Sequence, residues 1–193
     1  GLNASTYIQN YEYSRIAIEM ALGRGGDQVV IKNGNNITYY GGKTQQMEKN
    51  TRVKARVKAQ ALKEFMSTKD RVVVMGHKIT DVDALGAAIG IYRAGKTLGK
   101  SVSIVVNDPT KSIRPLIAGY VNNPDYEQSM FVDSSQAKDM VDNNTVVVVV
   151  DTNRPSYTEC EELLHMTKTI VVLDHHRRGS EVIENAVLSY VEP

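Results

Sequence analysis

Three short blocks of apolar, mostly β-branched residues limit what this chain can fold into: "RVVVM" at 71–75, "TVVVVV" at 145–150 and "TIVVL" at 169–173. A strand with one wet face alternates apolar and polar residues. A continuous run fits a strand covered on both faces, as in parallel sheets. None of the blocks nears the roughly 20 apolar residues that a membrane helix needs. Between and around them lie segments with helical spacing: "DALGAAIGIYRAGKTLG", "IRPLIAGY", "SSQAKDMV" and "SYTECEELLHM". "SVSIVV" and "MFVD" add two strand candidates. This alternation predicts an α/β domain, a doubly wound, mostly parallel sheet with helices on both faces. In "SYTECEELLHM", Ser156 followed three residues later by Glu159 predicts a capping box at a helix start.

The first third of the chain reads differently. Tyr13–Leu22 has helical apolar spacing, and "QVVIKNGNNITYYGG" places two β-prone runs around Asn-Gly-Asn-Asn, a hairpin signal. "GRGGD" between them lacks Gly-Lys-Ser/Thr and is not a Walker loop. From Gln45 to Met66 a long basic helix is expected, with Met47, Val53, Val57, Leu62 and Phe65 on one side. Its Arg52, Lys54, Arg56 and Lys58 read as the solvated face of a connector. The domain boundary is therefore expected between about residues 42 and 67.

Net charge is +1 over 193 residues, so no global field points to long nucleic acid or an anionic membrane. One cysteine, Cys160, excludes an internal disulfide. No segment reads as membrane-spanning.

The chemistry gathers at strand ends. His77, Asp81 and Asp83 follow the first block, Asp151 the second, and Asp174, His175 and His176 the third. In an open parallel sheet, ligands bind beyond the carboxyl ends of the strands, so three neighbouring strands would bring these groups together. Converging carboxylates repel one another unless a cation sits among them. Carboxylates mixed with imidazoles suit Mn, Fe, Co or Zn, and a pair of such ions can activate water and clamp a phosphate. Asp151, on a central strand, is placed to bridge two ions. Taken singly, Asp81 and Asp83 read better as helix caps than as ligands. His165 follows no strand and reads as structural.

"GHKITDVDALG", "VVDTNRP" and "LDHHRRG" resemble motifs I, II and III of the DHH phosphoesterase superfamily, over about Arg71–Gly179. The upstream stretch is similar to the join before the DHH domain in GdpP-type cyclic-di-AMP phosphodiesterases. That resemblance implies a remnant of a degenerate GGDEF domain at 1–42, a connector helix at 43–66 and a DHH domain at 67–193. It implies two divalent ions, Mn in such enzymes. His77, Asp81 and Asp151 would hold one, and Asp83, Asp151 and His175 the other. His176 would face the substrate phosphate, and Asp174 would orient an imidazole. Arg177 or Arg178 would meet phosphate, and Asn153 would assist. The substrate implied is a cyclic dinucleotide, cut to linear pApA on the cytoplasmic side by a membrane-anchored parent; a homodimer is compatible with this. The family's further aspartate ligand and its glycine-rich substrate-gripping motif are missing before Pro193. The second ion site is thus expected to be incomplete and the chain alone nearly inactive. A DHH nanoRNase, pApA hydrolase or pyrophosphatase remains the alternative, as does a non-catalytic regulatory module.

Overall fold

The computed structural model describes residues 1–23, 28–41, 44–176 and 179–192, with backbone alone for Gly23 and 44–53. Arg177 and Arg178 lie outside the described residues, as do most of "GRGGD" and the side chains of Met47, Arg52 and Val53. The chain forms two compact units, Gly1–Arg56 and Val57–Pro193.

In the first unit, α1 (Tyr7–Gly23) is followed by an antiparallel hairpin, β1 (Gln28–Asn33) and β2 (Asn36–Gly41). Asn33 faces Asn36 across a two-residue turn in which Gly34 takes φ +55°, a value a side chain would strain. A helix, α2 (Thr44–Ser67), comes next, and the division between units falls inside it. Its last turns carry Leu62, Phe65 and Met66 into the second unit's core, whereas Val57 is exposed.

The second unit contains β3 (Arg71–Met75), α3 (Val82–Thr97), β4 (Ser101–Val105), α4 (Arg114–Val121), β5 (Phe131–Val132), α5 (Ser134–Met140), β6 (Thr145–Val150), α6 (Leu163–Met166), β7 (Thr169–Asp174) and β8 (Leu188–Val191). Its sheet has six strands in the order β5-β4-β3-β6-β7-β8, and every adjacent pair is parallel. The unbroken valine runs are explained by a two-sided core. Val73, Met75, Val147, Val149, Ile170 and Val172 point to one cluster with Ala137 of α5 and Leu163 and Leu164 of α6. Their alternates Val72, Val74, Val146, Val148, Val150 and Val171 point to another with Met66 of α2 and Ala88 and Tyr92 of α3. Successive side chains leave a strand on opposite faces, so each strand must be apolar throughout.

The chain steps outward from β3 to β4 and β5, then returns to lay β6 on the other side of β3. The winding direction reverses there, so the flanking loops part and leave a crevice beyond the tips of β3 and β6.

One expectation needs correction. "SYTECEELLHM" does not start as a capped helix. Pro155–Tyr157 is a single 3₁₀ turn, Thr158 bridges to His77, and α6 is confined to Leu163–Met166. The Ser156 hydroxyl and N–H both donate to Glu181, at 2.8 and 2.9 Å, so the capping box is not formed. The final strand, β8, was not anticipated.

Candidate metal centre

β3, β6 and β7 are consecutive in the sheet, so their carboxyl ends lie side by side. Asp151 stands at the middle tip. It is 7% exposed and takes φ +58°, a left-handed conformation that costs most residues about 1 kcal/mol or more but that Asp tolerates. Its N–H donates to the Leu173 carbonyl at 2.9 Å, which ties the tip of β6 to β7.

Both carboxylate oxygens of Asp151 face imidazoles. His77 Nε2 lies 3.4 Å from Oδ2, His175 Nε2 lies 3.1 Å from Oδ1, and His176 Nδ1 lies 3.8 Å from Oδ1. On the β3 side, Asp81 uses its two oxygens differently. Oδ1 caps α3, accepting from the N–H groups of Asp83 and Ala84 at 3.0 Å each. Oδ2 faces His77 Nε2 at 3.7 Å. Helix cap and candidate ligand are thus compatible roles for one side chain. Gly76 lets α3 begin this close: a Cβ there would stand 3.0 Å from the Ala84 Cβ.

On the β7 side, the Asp174 carboxylate is buried. Oδ1 lies 2.8 Å from His176 Nδ1, and Oδ2 accepts from the Asn153 amide. The hydrogen bond between His176 and Asp174, ahead of the charges of Asp174 and Asp151, raises the His176 pKa above its ordinary value. The other amide atom, Asn153 Oδ1, is buried without a hydrogen-bond partner among the described residues, an orphan beside the candidate ligands.

Two groups of three therefore offer ligand atoms within 4.8 Å of one another, His77–Asp81–Asp151 and Asp151–His175–His176. Asp151 belongs to both. Asp83 lines the same cavity, of about 520 Å³, but joins neither group. His176, expected to face phosphate, also offers a ring nitrogen to the second group. Sequence reasoning did not point to Ile79, Thr152 or Tyr157, which also line the cavity. Arg154, in the same motif as Asp151, does so too.

Residues 71–193 match the family model described as "DHH family, N-terminal domain". The chain belongs to the DHH family. It is 45% identical over 197 residues to a cyclic-di-AMP phosphodiesterase GdpP of Geobacillus thermodenitrificans. It is 41% identical over 197 residues to the protein of the same name in Bacillus subtilis. Each alignment takes in 100% of this chain and 30% of the relative, so the chain spans about a third of the length of these proteins. The fold is shared with an exopolyphosphatase-related protein from Bacteroides fragilis, at TM-score 0.54 and 15% identity, over 72% of this chain and 39% of that one.

The donor set of this DHH domain fits a divalent ion. Donors around one ion at roughly 2.1 Å stand about 3 Å apart when adjacent. The nitrogen–oxygen distances to Asp151, 3.1–3.8 Å, already approach that spacing. Oxygen and imidazole donors together suit Mn, Fe, Co or Zn better than Mg or Ca. Among the described residues the ion-pair contacts of Asp151 are to three imidazoles, which are themselves metal-ligand types.

Proposed function

We propose that this chain carries the metal-binding half of a phosphodiesterase site that hydrolyses cyclic-di-AMP to linear pApA. The observation that carries the reading is Asp151, a buried carboxylate in a left-handed conformation whose two oxygens face imidazoles from two different strand tips. The full-length similarity to proteins named cyclic-di-AMP phosphodiesterase supports the choice of substrate.

His77, Asp81 and Asp151 would hold one ion. Asp151 and His175 would hold a second, with Asp83 on the same cavity wall. Two divalent ions, Mn by preference, would lower the pKa of attacking water and offset negative charge on the phosphate. The protein's own part is positional. Asp174 fixes the His176 ring and favours its protonated form, so His176 can present an N–H to a phosphate oxygen. Asn153 holds Asp174 in turn. Arg177 and Arg178, outside the described residues, would add guanidinium donors to phosphate.

The test pairs two measurements. Calorimetric titration of the chain with Mn²⁺ reports the ion site. Chromatography of cyclic-di-AMP incubated with the parent-length protein and Mn²⁺ reports the reaction. Mn²⁺ binding lost in Asp151→Asn, together with pApA as product, supports the reading. Turnover of pApA or pyrophosphate in preference to cyclic-di-AMP would assign another substrate.

A further inference from the structure

We propose that Glu159 is a positioning residue for this ion site, holding the loop that carries His77 and Asp81; the inference rests on the proposed function above. Glu159 is 6% exposed and forms no ion pair among the described residues. A buried carboxylate without a cation is costly unless hydrogen bonds saturate it. Here both oxygens are taken. Oε1 accepts from the Thr80 hydroxyl at 2.8 Å, and Oε2 accepts from Asn107 Nδ2 at 2.7 Å.

Of these partners, Thr80 belongs to the loop between β3 and α3. The Thr80 hydroxyl also lies 2.9 Å from the His77 carbonyl, so its single hydrogen is shared between that carbonyl and Glu159, and the Thr80 carbonyl accepts from the Thr110 hydroxyl at 2.9 Å. The Glu159 N–H donates to the Gly76 carbonyl at 3.0 Å, and the Lys78 N–H donates to the Tyr157 carbonyl at 2.8 Å. Asn107 is fixed from its far side, where Oδ1 accepts from the Ser134 N–H at 2.8 Å. Residues 76–81 are thus gripped from the β6–α6 connection, through a carboxylate 79 positions away from Thr80 in sequence.

The grip matters because the two ligands leave this loop in different ways. His77 follows the strand tip directly, whereas Asp81 is already committed to α3 through its capping oxygen. Bringing both to Asp151 requires the intervening turn to have one shape. The Thr80 hydroxyl, held between His77 O and Glu159, fixes that turn. A partner of this kind orients ligands without touching the ion, and its loss commonly lowers metal affinity about 10–100-fold.

The experiment compares Mn²⁺ affinity, by calorimetry on the whole chain, with hydrogen exchange at the Lys78 amide in the metal-free chain. Glu159→Ala and Thr80→Val should weaken Mn²⁺ binding at least roughly tenfold and speed Lys78 exchange. Glu159→Gln should restore both, because its amide can donate to Thr80 Oγ1 while its carbonyl accepts from Asn107. Ile170→Val, a core change remote from the loop, should lower the melting temperature and leave Mn²⁺ affinity unchanged. Wild-type affinity in Glu159→Ala and Thr80→Val, beside its loss in Asp151→Asn, would overturn the inference and leave the ion site standing. Equal loss in Glu159→Gln and Glu159→Ala would overturn it in favour of a role for the charge. Absence of Mn²⁺ binding by the wild type would remove the ion-site reading. Unchanged Lys78 exchange in Glu159→Ala would overturn the grip on the loop with or without an ion.

Discussion

The two ends of the central strands are both polar, and they treat their polar groups in opposite ways. At the amino ends the groups satisfy one another. Asn144 donates to Asp70, the Arg71 guanidinium to the Met140 carbonyl, and the Thr167 hydroxyl to the Thr145 carbonyl. Asp142 accepts from the Thr145 hydroxyl and the Asn144 N–H. At the carboxyl ends, Asp81, Asp151 and three histidines are directed into a shared cavity, and Asn153 keeps an unpartnered oxygen beside it. The amino ends close the sheet. The carboxyl ends gather donor atoms that could hold a metal ion.

Substitutions at the two ends should therefore separate metal binding from stability. The largest effect is expected from Asp151→Asn, which keeps the tolerance for positive φ and removes the shared charge. Mn²⁺ affinity should fall by more than the roughly 100-fold typical of an outer partner, with the circular dichroism spectrum unchanged. His175→Ala and His77→Ala should each lose affinity by at least about tenfold. At the other end, Asn144→Ala should destabilise by about 1 kcal/mol in urea unfolding and leave Mn²⁺ affinity as it was.

The two ends should also answer pH with opposite sign. Thr145 first, then the Asn144 amide, holds the Asp142 carboxyl below the ordinary range. Its contribution is present above the unfolded-state pKa and is lost as pH falls through the lowered folded value. His176 is raised by Asp174, so that pair stabilises the metal-free chain below the unfolded-state histidine pKa and fades as pH climbs through the raised value. NMR titration of Asp174→Asn should bring the His176 pKa back down. The smallest effect is expected at the exposed Lys138–Glu162 pair, 2.8 Å apart, which lowers the Glu162 carboxyl to about 2. Glu162→Gln should leave both stability and Mn²⁺ binding nearly unchanged.

How much of this could be read from the sequence follows from how local each signal is. The valine blocks declare buried strands because both faces of each strand enter a core, and that property is written along a single run. The acids and histidines after them were legible because the site of a parallel sheet lies at its strand tips. β8 was not, because Leu188–Val191 is short and is defined by pairing with β7 rather than by its own pattern. "SYTECEELLHM" misled for a related reason. Its helical spacing and its Ser156–Glu159 signature are real, but Ser156 is claimed by Glu181 and Glu159 by Thr80 and Asn107. The cap was outcompeted by partners far along the chain. Asp81 shows the reverse: the helix cap and the candidate ligand were read as rivals, and two oxygens let one residue meet both geometries.

Anomalous diffraction from crystals of the chain soaked in Mn²⁺ would locate the ions. Peaks are expected in the crevice beyond β3, β6 and β7, the strongest bounded by His77, Asp81 and Asp151 and a second on the His175 side of Asp151. Peaks confined to other surfaces, with Asp151 and the three imidazoles free of anomalous density at saturating Mn²⁺, would contradict that placement.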